Sequence, residues 1–144
     1  MDENFDYSTV PHTFMHCTYT SCVQANDCLR YQAAQHATPS RESFSIVNPA
    51  QISGNGKKCR YFLADKKVRF ALGFTRMLDN IPHRKAIAIR RELYSHFGKS
   101  TYYRVRNHER LIKPSEQNFI RQLFLRKEIN EEPTFDTYIE QYEW

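Results

Sequence analysis

The stretch that decides the fold is Ile81–Phe124, with the sequence IPHRKAIAIRRELYSHFGKSTYYRVRNHERLIKPSEQNFIRQLF. It predicts three helices, because apolar residues recur at helical spacing between two short breaks. The breaks lie at Gly98, which suits a left-handed C-terminal cap, and before Pro114, which suits a first helical turn. Basic and aromatic residues crowd the middle helix. We therefore expect the rest of the chain to fold around this helical unit.

Each of the three helices has a predicted apolar face and a predicted start. Pro82 opens the first helix, Ser100 caps a short second helix over residues 101–107, and Pro114 opens the third. The inward side chains of the first helix are Ala86, Ile89, Leu93 and Phe97, and those of the third are Ile120, Leu123 and Phe124. In the second helix, Val105 and one tyrosine should face the core.

Other segments carry weaker periodic patterns. Apolar residues at helical spacing predict a helix over residues 64–80. The i, i+3, i+4, i+7 pattern of Phe135, Tyr138, Ile139 and Tyr142 predicts a docked amphipathic C-terminal helix, with Trp144 completing its packing. The N-terminal third predicts a short helix over residues 27–35, a turn at 53–56, and two short strands, 44–47 and 59–62, that pair with each other.

Charge is segregated along the chain. Residues 1–56 carry 2 basic and 5 acidic side chains (−3), residues 57–113 carry 16 and 4 (+12), and residues 114–144 carry 3 and 7 (−4), which sum to the net +5. A basic middle between acidic ends favours an anionic partner, most often nucleic acid. The simpler alternative is a solvated set of helix faces, neutralised in part by the acidic tail.

The chain has four cysteines, Cys17, Cys22, Cys28 and Cys59, all of which precede the helical half. In a reducing compartment such a cluster favours a metal over disulfides. Four thiolates can satisfy tetrahedral zinc with no open position, so we expect a structural zinc site. An iron–sulfur cluster takes the same ligands and is the alternative. The remaining possibility is that some thiols are small buried apolar groups.

The run from Phe97 to Arg104, FGKSTYYR, supplies a turn, a helix start and hydrogen-bond donors. With the later run KPSEQNFIRQLF, it resembles the second helix, loop and following helix of small helix-turn-helix DNA-binding domains. The resemblance implies contacts to phosphates and base edges from the exposed helix face. The expected nucleic-acid-binding residues are Arg90, Arg91, Lys99, Ser100, Tyr102, Arg104, Arg106 and Arg110.

Nearly the whole chain also resembles an uncharacterised bacterial family of short proteins with a four-cysteine N-terminal part and a helical C-terminal part. The matching motifs are Cys28-Leu29-Arg30, Asn48-Pro49, Cys59, Lys67–Phe70 (expected to be helical), Tyr102–Arg104, Pro114–Gln117 and Phe135–Trp144. No activity is assigned to that family. The resemblance therefore implies that the domain and its cysteine set form a unit, and implies nothing about chemistry.

Together these observations predict a mainly α fold. A cysteine-rich, loop-rich segment over residues 1–62 is expected to pack, as one folded unit, on a helix-turn-helix-like bundle over residues 63–144. The segment at the amino terminus is acidic, and no apolar run is long enough to span a bilayer, so we expect a cytoplasmic protein without a membrane partner.

The expected function is nucleic-acid binding, with duplex DNA favoured. The alternative is a metal-stapled adaptor that binds an acidic protein or structured RNA, and a weaker one is an electron-transfer or sensor protein with an iron–sulfur cluster. No common catalytic motif is present, and no base can be placed beside Tyr102 or Tyr103 to make a nucleophile. We therefore expect no enzymatic activity. The sequence does not specify the oligomeric state.

Overall fold

The computed structural model describes residues 4–52 and 59–144. By its backbone contacts the chain divides into two compact units. The first unit comprises Met1–Lys66 together with Tyr142–Trp144, and the second comprises Lys67–Gln141. The turn predicted at residues 53–56 lies outside the described residues.

The first unit is mostly irregular, and its described part contains one α-helix, α1 (Leu29–Gln35). Single 3-10 turns occur at Tyr7–Thr9, Ala25–Asp27 and Pro49–Gln51. The buried side chains of its core are Tyr7, Val10, Phe14, Leu29, Ala33 and Tyr142. Trp144 packs edge-on against Phe14, with 5.0 Å between ring centroids, whereas it was expected to complete the packing of a C-terminal helix.

The two strands predicted in this unit do not pair with each other. Ile46 forms a single parallel bridge with His16, in which Val47 N–H donates to the His16 carbonyl at 2.9 Å. Residues 59–62 instead form a turn closed by Phe62 N–H to the Cys59 carbonyl at 3.1 Å. A run of four residues is too short to specify its own partner, so the partner was decided by tertiary contacts.

The second unit contains three helices, α2 (His83–Phe97), α3 (Lys99–Arg106) and α4 (Pro114–Arg126). This confirms three helices in the stretch from which the prediction began. Ile89 and Leu93 of α2, and Ile120 and Leu123 of α4, are fully buried. They pack with other apolar side chains in one cluster, and burying a side chain of this size contributes about 1.5–3 kcal/mol.

A two-stranded antiparallel sheet accompanies these helices, and it contradicts the prediction of a mainly α fold. Its strands are β1 (Lys67–Leu72) and β2 (Thr137–Tyr142), both of which were expected to be helical. Helices take up 39% of the structure, which is close to the share in an ordinary mixed protein. The helical bundle of the sequence-based prediction is therefore replaced by a mixed fold, in which α4 packs on β1.

The physical reason for the error at β2 is the residue type. Thr137–Tyr142 (TYIEQY) is rich in β-branched and aromatic residues, which pack well on a pleated surface. A docked helix would have buried Tyr138 and Ile139 together, but they are 39% and 40% exposed. The Tyr138 ring instead lies under the Arg69 guanidinium of β1, 3.7 Å from its centroid.

Gly98 is the only residue between α2 and α3. Its N–H donates to the Tyr94 carbonyl at 2.9 Å and its carbonyl accepts from Tyr102 N–H at 2.8 Å, so one residue ends α2 and starts α3. Its φ of 80° and ψ of 151° lie in a region that is almost restricted to glycine. Ser100 is consequently inside α3 and is not its cap, and the link is shorter than the three or four residues of a helix-turn-helix.

A polar clamp joins the end of β1 to two loops. The Asp136 carboxylate accepts hydrogen bonds from His108 Nε2 at 2.7 Å, and from Thr75 Oγ1 and N at 2.7 and 3.1 Å. His108 has a φ of 68°, which is uncommon for a residue with a side chain. Gly73 is required here, because a Cβ would overlap the His108 ring and lie 2.7 Å from Asp136 Oδ2.

Candidate nucleic-acid interface and cysteine cluster

The basic side chains of α2 and α3 are largely free of acidic partners. Arg84, Arg90, Arg91, Lys99 and Arg104 are all exposed. None of them forms an ion pair with a carboxylate in residues 4–52 and 59–144. The one acidic residue on these two helices, Glu92, lies 3.3 Å from Lys127 Nζ instead. The two helices therefore carry a positively charged surface that is not neutralised locally.

Two arginines from different helices meet at one cavity. Arg90 of α2 and Arg106 of α3 both line a cavity of about 390 Å³, together with His83, Thr75 and Asp79. Its remaining lining is formed by the side chains of Phe74, Leu78, Ile81, Ala86 and Tyr102. Arg106 is half-buried and donates to the Asn107 side chain at 3.0 Å, which holds it in place. The cavity thus brings together two guanidinium groups, which are the side-chain groups best suited to bind phosphate, with one carboxylate, that of Asp79.

The eight residues expected to bind nucleic acid differ in their exposure to solvent. Arg90, Arg91, Lys99, Ser100 and Arg104 are exposed, and Arg106 faces the cavity. Tyr102 is only 3% exposed and packs edge-on against Phe74 in the core, so its side chain is not part of the exposed surface of α3 and borders only the cavity. The outward tyrosine of α3 is Tyr103, which is 42% exposed.

Arg110 has a structural role in this fold. Its guanidinium forms a two-point ion pair with Glu116, at 2.9 and 3.3 Å. The same carboxylate accepts Lys113 N–H at 2.9 Å and so caps the first turn of α4. Releasing Arg110 to a phosphate would disrupt the start of that helix, and we remove it from the contact set.

Tyr94 and Tyr103 join α2 to α3 at the same surface, through a hydrogen bond of 2.9 Å between their hydroxyl groups. This hydrogen bond raises the pKa of Tyr94, and desolvation and the neighbouring Tyr103 raise it further. Tyr94 therefore presents a neutral hydroxyl group near Arg90.

All four cysteines of the chain line one small cavity in the first unit. They are free thiols, of which Cys28 is buried and Cys17, Cys22 and Cys59 are half-buried. Burial raises the pKa of the Cys17 thiol, and the neighbouring thiols raise it further. The sequence-based grouping thus corresponds to a spatial cluster, drawn from four separate segments.

A residue that sequence reasoning missed organises this cluster. The Arg30 side chain donates to the Tyr61 carbonyl through Nε and to the Met15 carbonyl through Nη1, both at 2.9 Å. These carbonyls lie two residues from Cys59 and Cys17. Arg30 also lines the cavity, beside Cys28. Its position in the Cys28-Leu29-Arg30 motif was the only signal of this role.

His16, which is close to Cys17 in sequence, is not positioned to join the thiols. It is completely buried, and its Nδ1 bonds the Phe14 carbonyl at 3.0 Å while Nε2 bonds the Tyr7 hydroxyl at 2.9 Å. Desolvation lowers the pKa of His16, which favours the neutral ring. Both ring nitrogens are therefore committed to the core of the first unit.

The four thiols are not arranged as the ligands of a metal ion in this structure. In the described ranges, no group of three or more His, Cys, Asp or Glu side chains is placed to hold a metal ion. Within the same ranges, no helix combines the length and hydropathy that crossing a bilayer requires.

The sequence matches a family of unknown function, DUF6078, over residues 1–144. The chain belongs to this family. No curated protein and no solved structure matches the chain. Because the family has no assigned function, the functional conclusion must come from the geometry described above.

Proposed function

We propose that this protein binds nucleic acid through the exposed basic surface of α2 and α3. The main support for the proposal is that Arg90 of α2 and Arg106 of α3 line the same cavity. Neither forms an ion pair with a carboxylate in the described ranges. Arg91, Lys99 and Arg104 add further exposed positive charge on the same two helices. The protein is not assigned an enzymatic role.

Phosphates are the expected point of contact. Guanidinium groups bind phosphate oxygens in a two-point geometry, and nucleic acid supplies a regular series of such groups. Duplex DNA is the favoured form, because it carries one charge for about every 1.7 Å of its axis and can engage several of these side chains at once. No base-specific role is assigned to α3, since the one-residue link at Gly98 is not that of a recognition helix.

Fluorescence anisotropy with a labelled random duplex, a single strand and a structured RNA, across a salt series, tests the proposal. If four or five phosphates are contacted, the logarithm of the association constant should fall against the logarithm of salt with a slope of about −4. Binding that does not depend on salt, or no binding at low salt, would overturn the proposal.

Matched substitutions locate the surface. Arg104→Gln and Arg90→Gln should each weaken duplex binding by about tenfold and reduce the salt slope by about one. Arg121→Gln is the control, since Arg121 is exposed on α4 but its Nε is paired with Glu132 at 2.8 Å. If the control weakens binding as much as the other two, the contact surface is not on α2 and α3.

The main alternative partner for the basic surface of α2 and α3 is an acidic protein. It would bind the purified protein with salt dependence, whereas all three nucleic acids would fail to bind at low salt. Preference for the single strand over the duplex would contradict the duplex assignment. In that case Tyr103, which is exposed beside Arg104, would be the first residue to test for base stacking.

A further inference from the structure

The cysteine cluster of the first unit is a candidate site in its own right, independent of the basic surface. Its four thiols come from different local structures. Cys17 follows the bridged residue His16, Cys22 begins a turn before Ala25–Asp27, Cys28 precedes α1, and Cys59 begins another turn. Cys59 follows 31 residues after Cys28, so it reaches the same cavity as the other three only because the unit folds to bring it there.

Hydrogen bonds of the backbone and of Arg30 produce the convergence. Cys17 N–H donates to the Arg30 carbonyl at 3.0 Å, which places Cys17 beside α1. Leu29 N–H donates to the Leu63 carbonyl at 2.7 Å, which brings the segment after Cys59 to the same helix. The Arg30 side chain then connects the two flanking segments through the Met15 and Tyr61 carbonyls. The thiols therefore approach one another through specific contacts of the fold.

The composition and size of the cavity restrict what it can hold. Besides the cysteines and Arg30, its lining is apolar or aromatic, and it contains no carboxylate and no imidazole: Tyr19, Ala25, Tyr31, Val47, Ile52, Tyr61 and Phe62. Its volume is about 20 Å³, which is close to the space that one water molecule needs. This space is enough for a single ion between the thiols.

We propose that Cys17, Cys22, Cys28 and Cys59 together bind one Zn²⁺ ion as a closed structural site. Soft thiolates are the ligands that zinc prefers in structural sites, and four of them complete a tetrahedron. Cys28 lies at the start of α1 and is the most buried of the four. The other three lie in turns and irregular segments, and the proposal requires that their side chains rotate about the Cα–Cβ bonds to bring the sulfurs to ligating distance.

Two contacts around the site fit a thiolate set. Gln24 N–H donates to Cys22 Sγ at 3.4 Å, as a backbone amide does for a coordinating sulfur. Four thiolates around Zn²⁺ leave a net charge of −2, and the Arg30 guanidinium on the cavity wall offsets part of it. Arg30 is thus a positioning residue, which holds the ligand segments and balances their charge without binding the metal.

The test is the metal content and the Co²⁺ spectrum of the full-length protein, purified under reducing conditions. We expect one zinc per chain by elemental analysis. Replacement by Co²⁺ should give the intense visible bands of a tetrahedral site, and a sulfur-to-cobalt charge-transfer band with the intensity of four thiolates. Absence of metal together with no Co²⁺ bands would overturn the proposal, as would a brown iron-containing protein or disulfides in the freshly purified chain.

Substitutions separate ligands from neighbours. Cys22→Ser and Cys59→Ser should each weaken Zn²⁺ binding by more than about 100-fold, whereas Arg30→Ala should weaken it by about 10- to 100-fold. Ser21→Ala, which changes an exposed neighbour of Cys22, should have no effect. If a cysteine variant does not fold, the charge-transfer intensity of the unsubstituted chain still counts the thiolates. An intensity of two thiolates or fewer contradicts the four-cysteine site.

Discussion

The two units of this protein use different means of stabilisation. Among the described residues, the second unit buries a cluster of twelve core side chains contributed by helices, β1 and loops, whereas the cluster of the first unit has six. The first unit compensates with guanidinium groups that bond backbone carbonyls. Arg30 bonds those of Met15 and Tyr61, and Arg41 bonds those of Val10 and Pro11.

The comparison shows how a chain with few large apolar residues orders an irregular segment. Small cores leave little net stability after the loss of chain entropy, so cross-links of another kind are required. In the first unit these are the arginine–carbonyl bonds, the stacking of Arg30 over Phe14 at 4.8 Å and, in our proposal, a metal ion. In the second unit the apolar core is sufficient, and the polar clamp at Asp136 only adds to it.

The largest expected effect is that of removing the proposed zinc ion. A strong chelator should abolish the hydrogen-exchange protection of α1 in the first unit, while α2 and α4 keep theirs. Structural zinc contributes about 10–16 kcal/mol in small domains, which exceeds what a core of six residues supplies. Hydrogen exchange followed by mass spectrometry of peptides from each unit measures the difference. Unchanged protection of α1 would show that the arginine contacts alone hold the first unit.

A smaller effect is expected from truncating the apolar core of the second unit. Leu93→Ala should lower the free energy of unfolding by about 2–5 kcal/mol, because Leu93 is completely buried and the truncation leaves a cavity. Leu125→Ala is the matched control, since this leucine is 55% exposed, and its effect should stay within about 0.5 kcal/mol. Urea denaturation measures both. Similar losses for the two leucines would mean that this core is not what stabilises the unit.

The smallest effect concerns the clamp at Asp136 and its dependence on pH. Burial opposes ionisation of Asp136, but the hydrogen bonds from His108 and Thr75 prevail and lower its pKa. The clamp therefore stabilises the fold above the unfolded aspartate value of about 3.9, and this contribution is lost as the pH falls through the lower folded pKa.

The variant Asp136→Asn tests this dependence. Its stability should be lower than that of the unsubstituted protein at neutral pH, and the difference should diminish below about pH 4. Thermal denaturation across a pH series is the measurement. A difference that stays constant down to the lowest pH would show that the carboxylate charge plays no part in the clamp.

Local sequence features were enough to predict the helices of the second unit. Pro82, Gly98 and Pro114 mark their boundaries within a residue or two, because proline and glycine act on the backbone where they stand. The inward faces of α2 and α4 also followed from spacing alone. Spacing failed at β1 and β2, because six residues with apolar side chains three and four apart satisfy a helical pattern without being helical, and the pairing of distant strands then decides the outcome.

For the candidate sites too, some features could be predicted from the sequence and others could not. The cysteine set and the basic segment could be identified from composition and charge, which are properties of the sequence. Composition and charge could not identify which tyrosine of α3 is buried. Nor could they identify which arginine is already paired with a carboxylate, or which arginine organises the thiols. These assignments depend on partners that are distant in sequence, namely Phe74 for Tyr102 and Tyr61 for Arg30, with Glu116 for Arg110 six residues away.

The sequence by itself thus determined where the chain turns, which faces of its helices are apolar and where its positive charge and thiols lie. Only the tertiary structure decided that residues 67–72 and 137–142 pair as strands, that Arg90 and Arg106 line one cavity, and that the four cysteines line another. The physical reason is that turns and helix starts are set by the dihedral preferences of single residues. Strand pairing and side-chain clusters depend on contacts that form only when distant segments are packed together.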